Sequence, residues 1–174
     1  MKLSTLEDLL VHELRDLYSA ENQITKALPK MVKTAQSANL KNAFQEHLEV
    51  TQKQIERLDE IFEKLDKSSR GPKCAAMEGL LKEGKDLMSE DAEPAVMDAA
   101  LIAAAQRVEH YEIAGYGCAR TFARLLGHDK IALTLQEILD EEAEADTTLT
   151  ELAESEINPS ATVGAAKGNG AAAE

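Results

Sequence analysis

Aromatic side chains make up only 3% of this 174-residue chain, and tryptophan is absent. No stretch sustains the apolar–polar alternation of a half-buried strand, so a β-fold is not expected. Cysteine is nearly missing as well: Cys74 and Cys118 form neither a disulfide framework nor a zinc-ligand spacing. No apolar run is long enough to span a bilayer, and the N-terminus lacks the apolar core of a signal segment. These absences lead us to expect a soluble, cytoplasmic protein. Positive charge is also scarce. Nineteen basic side chains face 32 acidic ones, a formal charge of −13. That balance argues against nucleic acid as a partner, because phosphates reward Lys and Arg. It argues equally against an anionic membrane surface, while remaining compatible with attracting cations.

What is abundant is Ala, Leu, Glu and Lys, a helix-forming composition with 44% hydrophobic residues. The length suits one domain with a sizeable core. Helical periodicity is visible four times. A first helix opens at Ser4, where Glu7 completes the spacing of a capping box. It carries Leu6, Leu10, Leu14, Leu17, Ile24 and Leu28, with Pro29 expected to kink it or open a bulge. After a break at residues 36–39, a second helix carries Leu40, Phe44, Leu48, Thr51, Ile55, Leu58 and Phe62. It stops before Ser68-Ser-Arg-Gly-Pro72. A connection over residues 67–93 contains a short amphipathic segment, 75–88. The third helix starts near Pro94 and ends at Leu126, with Gly127 as its stop. The fourth holds Ile131, Leu135, Ile138, Leu139, Leu149 and Leu152. Residues 1–158 read as one domain and 159–174 as a flexible tail. Short links within each helix pair and one long link between them predict an all-α, ferritin-like antiparallel four-helix bundle, two hairpins joined by a crossover containing a short helix.

Several carboxylates occupy inward positions of this scheme. Advancing about 100° per residue, Glu21 falls between Leu17 and Ile24 on the apolar side of the first helix. Glu112, with Glu109 further round, borders the apolar stripe of the third helix. Glu142 falls near the stripe centre of the fourth, and Asp146 lies one turn on. On the second helix Thr51 and Gln54 lie level with Glu21, whereas Glu49 and Gln52 point to solvent. His47 faces inward but sits about two turns from Gln54, so it reads as a hydrogen-bonded boundary residue. His12, His110 and His128 have no clear ligand partner. A carboxylate inside a helical core must be hydrated, paired or metal-bound. The set Glu21, Gln54, Glu109, Glu112, Glu142 and Asp146 is therefore a candidate site for one or two ions, iron or manganese, although oxygen ligands would also accept Ca²⁺ or Mg²⁺.

The segments Asp16-Leu-Tyr-Ser-Ala-Glu21, His47-Leu-Glu with Thr51 and Gln54, Cys74-Ala-Ala-Met-Glu-Gly79, and the run from Ala99 through Gln106-Arg-Val-Glu-His-Tyr-Glu112 resemble the YciF/YciE-like bacterial proteins of the ferritin-like superfamily. The resemblance spans roughly residues 4 to 158. It implies a ferritin-like bundle, a homodimer and a link to bacterial stress responses. More distantly the chain is similar to rubrerythrin. Glu21, Glu109, Glu112 and Glu142 match that family's ligand pattern. Ala145 stands where rubrerythrin has a histidine, and Thr51 and Gln54 replace its Glu-x-x-His pair. Two functions follow as expectations: a metal-binding protein with redox or peroxide-related work, or a non-catalytic structural or partner-binding stress protein with a vestigial site.

Overall fold

The structure is a computed structural model that describes residues 3–162. Helices α1 (Leu6–Thr34), α2 (Ala38–Lys64), α3 (Ala75–Leu87), α4 (Pro94–Leu125) and α5 (Asp129–Leu152) follow one another, and a π-helical turn over Ala153–Ile157 extends α5. No strand occurs among the described residues. α1 packs against α2 and α4, and α5 packs against α4 and α2, closing a four-sided ring. The connection from α2 to α4 crosses the diagonal of that ring and lays α3 along α4 and α1.

Local chemistry sets the helix ends. Thr5, not Ser4, caps α1: its hydroxyl accepts from the Asp8 amide at 3.0 Å, and Asp8 accepts in return from the amides of Ser4 and Thr5. The box is therefore one residue later than the Ser4–Glu7 spacing suggests, with the shorter Asp replacing Glu. α1 runs through Pro29 to Thr34 without interruption. The tight turn into α2 is held by Asp98 of α4, a buried carboxylate that accepts from the amides of Gln36 and Ser37 at 2.8 Å each. Those amides would otherwise be orphan donors at a helix start. Pro94 occupies the first turn of α4, and Gly127 follows its end with φ of 78°, a conformation that costs glycine nothing.

The chain does not leave the helix at Asn158-Pro159 as the sequence suggests; helical backbone continues over 158–162. Tertiary contacts explain the extension. Glu156 accepts from the Ser37 hydroxyl at 2.6 Å and from Asn39 at 2.7 Å, and Ile157 is buried. The rest of the expected flexible tail, 163–174, lies outside the described residues.

The apolar core is divided. One cluster gathers Leu10, Leu14, Leu17, Leu58, Phe62, Tyr116 and Ile138. The other gathers Ile24, Leu28, Phe44, Leu101, Val108 and Leu149. Polar positions mark the switch from one cluster to the other on each helix of the ring: Thr51 and Gln54 on α2, Glu109 and Glu112 on α4, and Glu142 on α5 fall between the clusters, and Glu21 on α1 lies just past the switch at Leu17–Ala20. A polar layer thus crosses the waist of the bundle.

Candidate metal centre

Glu21, Glu109, Glu112 and Glu142 are all buried, none more than 2% exposed. The sequence periodicity anticipated each of them, although Glu109 lies deeper than its helix-wheel angle suggests. Glu21 Oε1 accepts the hydroxyl of Tyr116, itself fully buried in the adjoining apolar cluster. Glu142 Oε1 accepts from the side-chain amide of Gln54. The same amide reaches Glu141 Oε2 at 3.1 Å, which also pairs with Arg57. Gln54 therefore meets the carboxylates as a donor, and its own carbonyl oxygen is left unpartnered. Thr51 is buried but gives its hydroxyl to the carbonyl of His47 at 2.9 Å, within its own helix.

Two positions differ from the sequence reading. His47 is a half-buried boundary residue, as its angle suggests, but its Nε2 faces the carboxylates and has no hydrogen-bond partner. Its Nε2 lies 3.5 Å from Glu109 Oε1 and 4.0 Å from Glu142 Oε2. His47, Glu109 and Glu142 bring three ligand atoms within 4.8 Å of one another. Asp146, by contrast, stands at the rim. Its Oδ1 accepts from Gln106 at 3.0 Å, and its Oδ2 lies 3.4 Å from His110 Nε2, on a histidine side chain that is 67% exposed. Glu49 and Gln52 face solvent as expected. The sequence places His47 too far along α2 only if the layer is one thin plane. Glu142 in fact meets Gln54 with one oxygen and approaches His47 with the other, so side chains two turns apart on α2 converge on one carboxylate.

Burial dominates the electrostatics. It raises the proton affinity of Glu21, Glu109 and Glu112 well above the usual carboxylate range, and repulsion from neighbouring carboxylates adds to it. Burial likewise pushes Glu142 up to about 7, against the opposing hydrogen bonds of Glu109 and Gln54. For His47 burial acts the other way and lowers it to about 4, so its ring is neutral near pH 7. Its approach to Glu109 is thus a neutral imidazole beside a carboxyl group, not an ion pair.

The donor set fits a metal ion. With the carboxyls ionised, seven buried side-chain atoms in this layer have no hydrogen-bond partner: Glu21 Oε2, His47 Nε2, Gln54 Oε1, Glu109 Oε2, both oxygens of Glu112, and Glu142 Oε2; a protonated Glu109 can donate to Glu142. Buried polar atoms are ordinarily satisfied, and these orphans, concentrated in one layer, form a donor set of the kind that coordinates a cation. Several carboxylate oxygens with one imidazole suit iron or manganese. A cavity of about 250 Å³ opens onto the layer between α2 and α5; His47 and Glu109 line it, with Phe44, Val50 and Ala145, and Glu46, Glu141 and Glu144 add acidic groups to its wall.

Two antiparallel hairpins, a diagonal crossover and a waist of inward carboxylates define a ferritin-like bundle. Residues 5–162 match the family described as a domain of unknown function, DUF892, and the chain belongs to that family. It is 46% identical to protein YciF of Escherichia coli strain K12 over 162 residues, covering 92% of this chain and 98% of that protein. The crystal structure of the E. coli stress protein YciF superposes with a TM-score of 0.87 over 90% of this chain and 99% of that one. YcfI of Rhodopseudomonas palustris, 51% identical, superposes with a TM-score of 0.83 over 86% of this chain and 95% of that one. Among the described residues no helix is long and apolar enough to cross a membrane.

Proposed function

We propose that this protein is a metal-binding member of the bacterial stress response, holding one or two ions of iron or manganese between Glu21, Glu109, Glu112, Glu142 and His47. The observation that carries this reading is the set of seven unpartnered buried atoms in one layer. Tyr116 orients Glu21, and Gln54 holds one oxygen of Glu142 while leaving the other free. Neutral His47 offers a lone pair without a proton to displace. The acid-lined cavity provides a route for a cation and for a small reactant. Iron or manganese bound there would supply one-electron chemistry suited to peroxide disposal. A homodimer in the cytoplasm belongs to the same reading.

The stress assignment rests on the likeness to the E. coli stress protein YciF. A second reading, a structural or partner-binding protein whose carboxylates share protons instead of a metal, draws on the structural role suggested for YcfI. Metal analysis of protein purified without added metal separates the two. Stoichiometric iron or manganese, lost in Glu112→Ala and Glu142→Ala, supports the metal reading. A metal-free protein that also takes up no added Fe²⁺ or Mn²⁺ overturns it.

A further inference from the structure

A second hollow lies away from the carboxylate layer, between α1 and α3. It is an open groove of about 420 Å³, and its wall carries Lys26 and Lys30 from α1, Lys73 from the linker, and Lys82 and Lys85 from α3. Five of the chain's 19 basic side chains thus meet over one groove in a protein of formal charge −13. Two of them are matched by acids: Lys73 Nζ lies 2.5 Å from Glu78 Oε1, and Lys82 Nζ lies 3.7 Å from Asp86 Oδ2. Lys26, Lys30 and Lys85 form no ion pair among the described residues. Lys26 and Lys30 stand one helical turn apart, where like charges repel. All three are exposed and hydrated, so what sets the groove apart is its composition: five lysines and a single acidic residue, Glu78, line it in a chain with 32 acidic side chains. Between the lysines the floor is apolar, made by Ala27, Leu81 and Met88, and these three also border a narrow apolar crevice running under α3.

We propose that this groove binds a small phosphorylated metabolite with an apolar portion, its phosphates on Lys26, Lys30 and Lys85 and its apolar part against Leu81 and Met88. Lysine ammonium groups are suited to phosphate as point charges, and the volume lies within the range of small-molecule sites. The overall charge selects against larger polyanions. A nucleic acid or an anionic bilayer would extend over the acidic surface beyond the groove, whereas a small ligand stays within about one Debye length of the lysines and responds to the local field. The site shares no residue with the carboxylate layer, so it stands or falls independently of the metal reading.

The test is calorimetry with the full chain, with a chelator present so that phosphate cannot recruit a metal to the waist of the bundle. The probes are adenosine triphosphate and inorganic tripolyphosphate. Both should bind, the nucleotide more tightly, and added salt should weaken both. Lys26→Glu/Lys30→Glu should weaken binding at least about tenfold, while the distant pair Lys53→Glu/Lys130→Glu should change it less than about twofold. Amide resonance shifts should concentrate on the middle of α1 and on α3. Absence of binding by both probes, or equal loss in the two double variants, overturns the site. Tripolyphosphate binding as tightly as the nucleotide overturns the apolar contact. Capture by phosphatidylserine vesicles through the same lysines, with no binding of either probe, would reassign the groove to a membrane surface.

Discussion

Replacing Glu142 by glutamine should stabilise the metal-free protein, and by an amount that depends on pH. In the folded chain the Glu142 carboxyl holds its proton up to about 7, against a usual value of 4.5. A raised carboxyl value means that the folded state resists ionisation. The resulting penalty is absent below about 4.5, grows between the two values, and is complete above about 7. At 1.36 kcal/mol per decade of proton affinity, it reaches about 3 kcal/mol. Glutamine keeps the shape of the protonated acid and cannot ionise. Its carbonyl can still accept from Gln54, and its amide can donate towards the unpartnered Nε2 of His47. In chelator at about pH 8 the variant should therefore melt about 6–12 °C above the wild type. Near pH 4.5 the two should agree within about 0.5 kcal/mol. Adding Mn²⁺ should narrow or reverse the order, because an ion at a hundred times its dissociation constant stabilises the wild type by about 2.7 kcal/mol and the variant by less. Scanning calorimetry at the two pH values, with and without Mn²⁺, reads all four numbers. A variant less stable than wild type in chelator at about pH 8 would refute the claim that these carboxylates crowd one another.

Other expectations follow from the same geometry. His47→Ala should raise the dissociation constant for Mn²⁺ at least about tenfold, while Asp146→Asn leaves it within about twofold because its carboxylate is engaged by Gln106 and faces His110; equal losses in titration calorimetry would return Asp146 to the ligand set. Tyr116→Phe removes the hydroxyl donated to Glu21 inside a fully buried environment and should cost about 1–3 kcal/mol in urea unfolding. An unchanged midpoint would mean that Glu21 gains another donor. Asp98→Ala strands the amides of Gln36 and Ser37 and should cost a similar 1–3 kcal/mol or so, read as faster hydrogen exchange confined to the α1–α2 turn.

The bundle was legible because its signals are local. Pro94 and Gly127 bracket α4, the cluster Ser68–Pro72 ends the second helical pattern, and the apolar period of each helix marks its inner face. The inward carboxylates were legible for the same reason: Glu142 breaks the apolar stripe of its own helix at a position that polar residues rarely occupy without a partner. Signals that depend on another element were not. The cap at Thr5 instead of Ser4 is a local ambiguity of a different kind, since either hydroxyl precedes an acid at suitable spacing. The helix persisted beyond Asn158 because Glu156 docks on Ser37 and Asn39, which are more than a hundred residues away in sequence.

His47 teaches the most. Its angle on α2 is inward, and only its depth along the helix sets it apart from the carboxylates in the sequence. Depth computed from Cα positions ignores that Glu and His side chains extend several ångströms and that Cα–Cβ bonds lean towards the helix N-terminus. Glu142 spans the gap, meeting the Gln54 amide with one oxygen and approaching His47 with the other. A centre assembled from long side chains is therefore thicker than one turn of helix. Inward residues up to two turns from the mean plane belong to such a layer, as His47, the one imidazole of the cluster, does here.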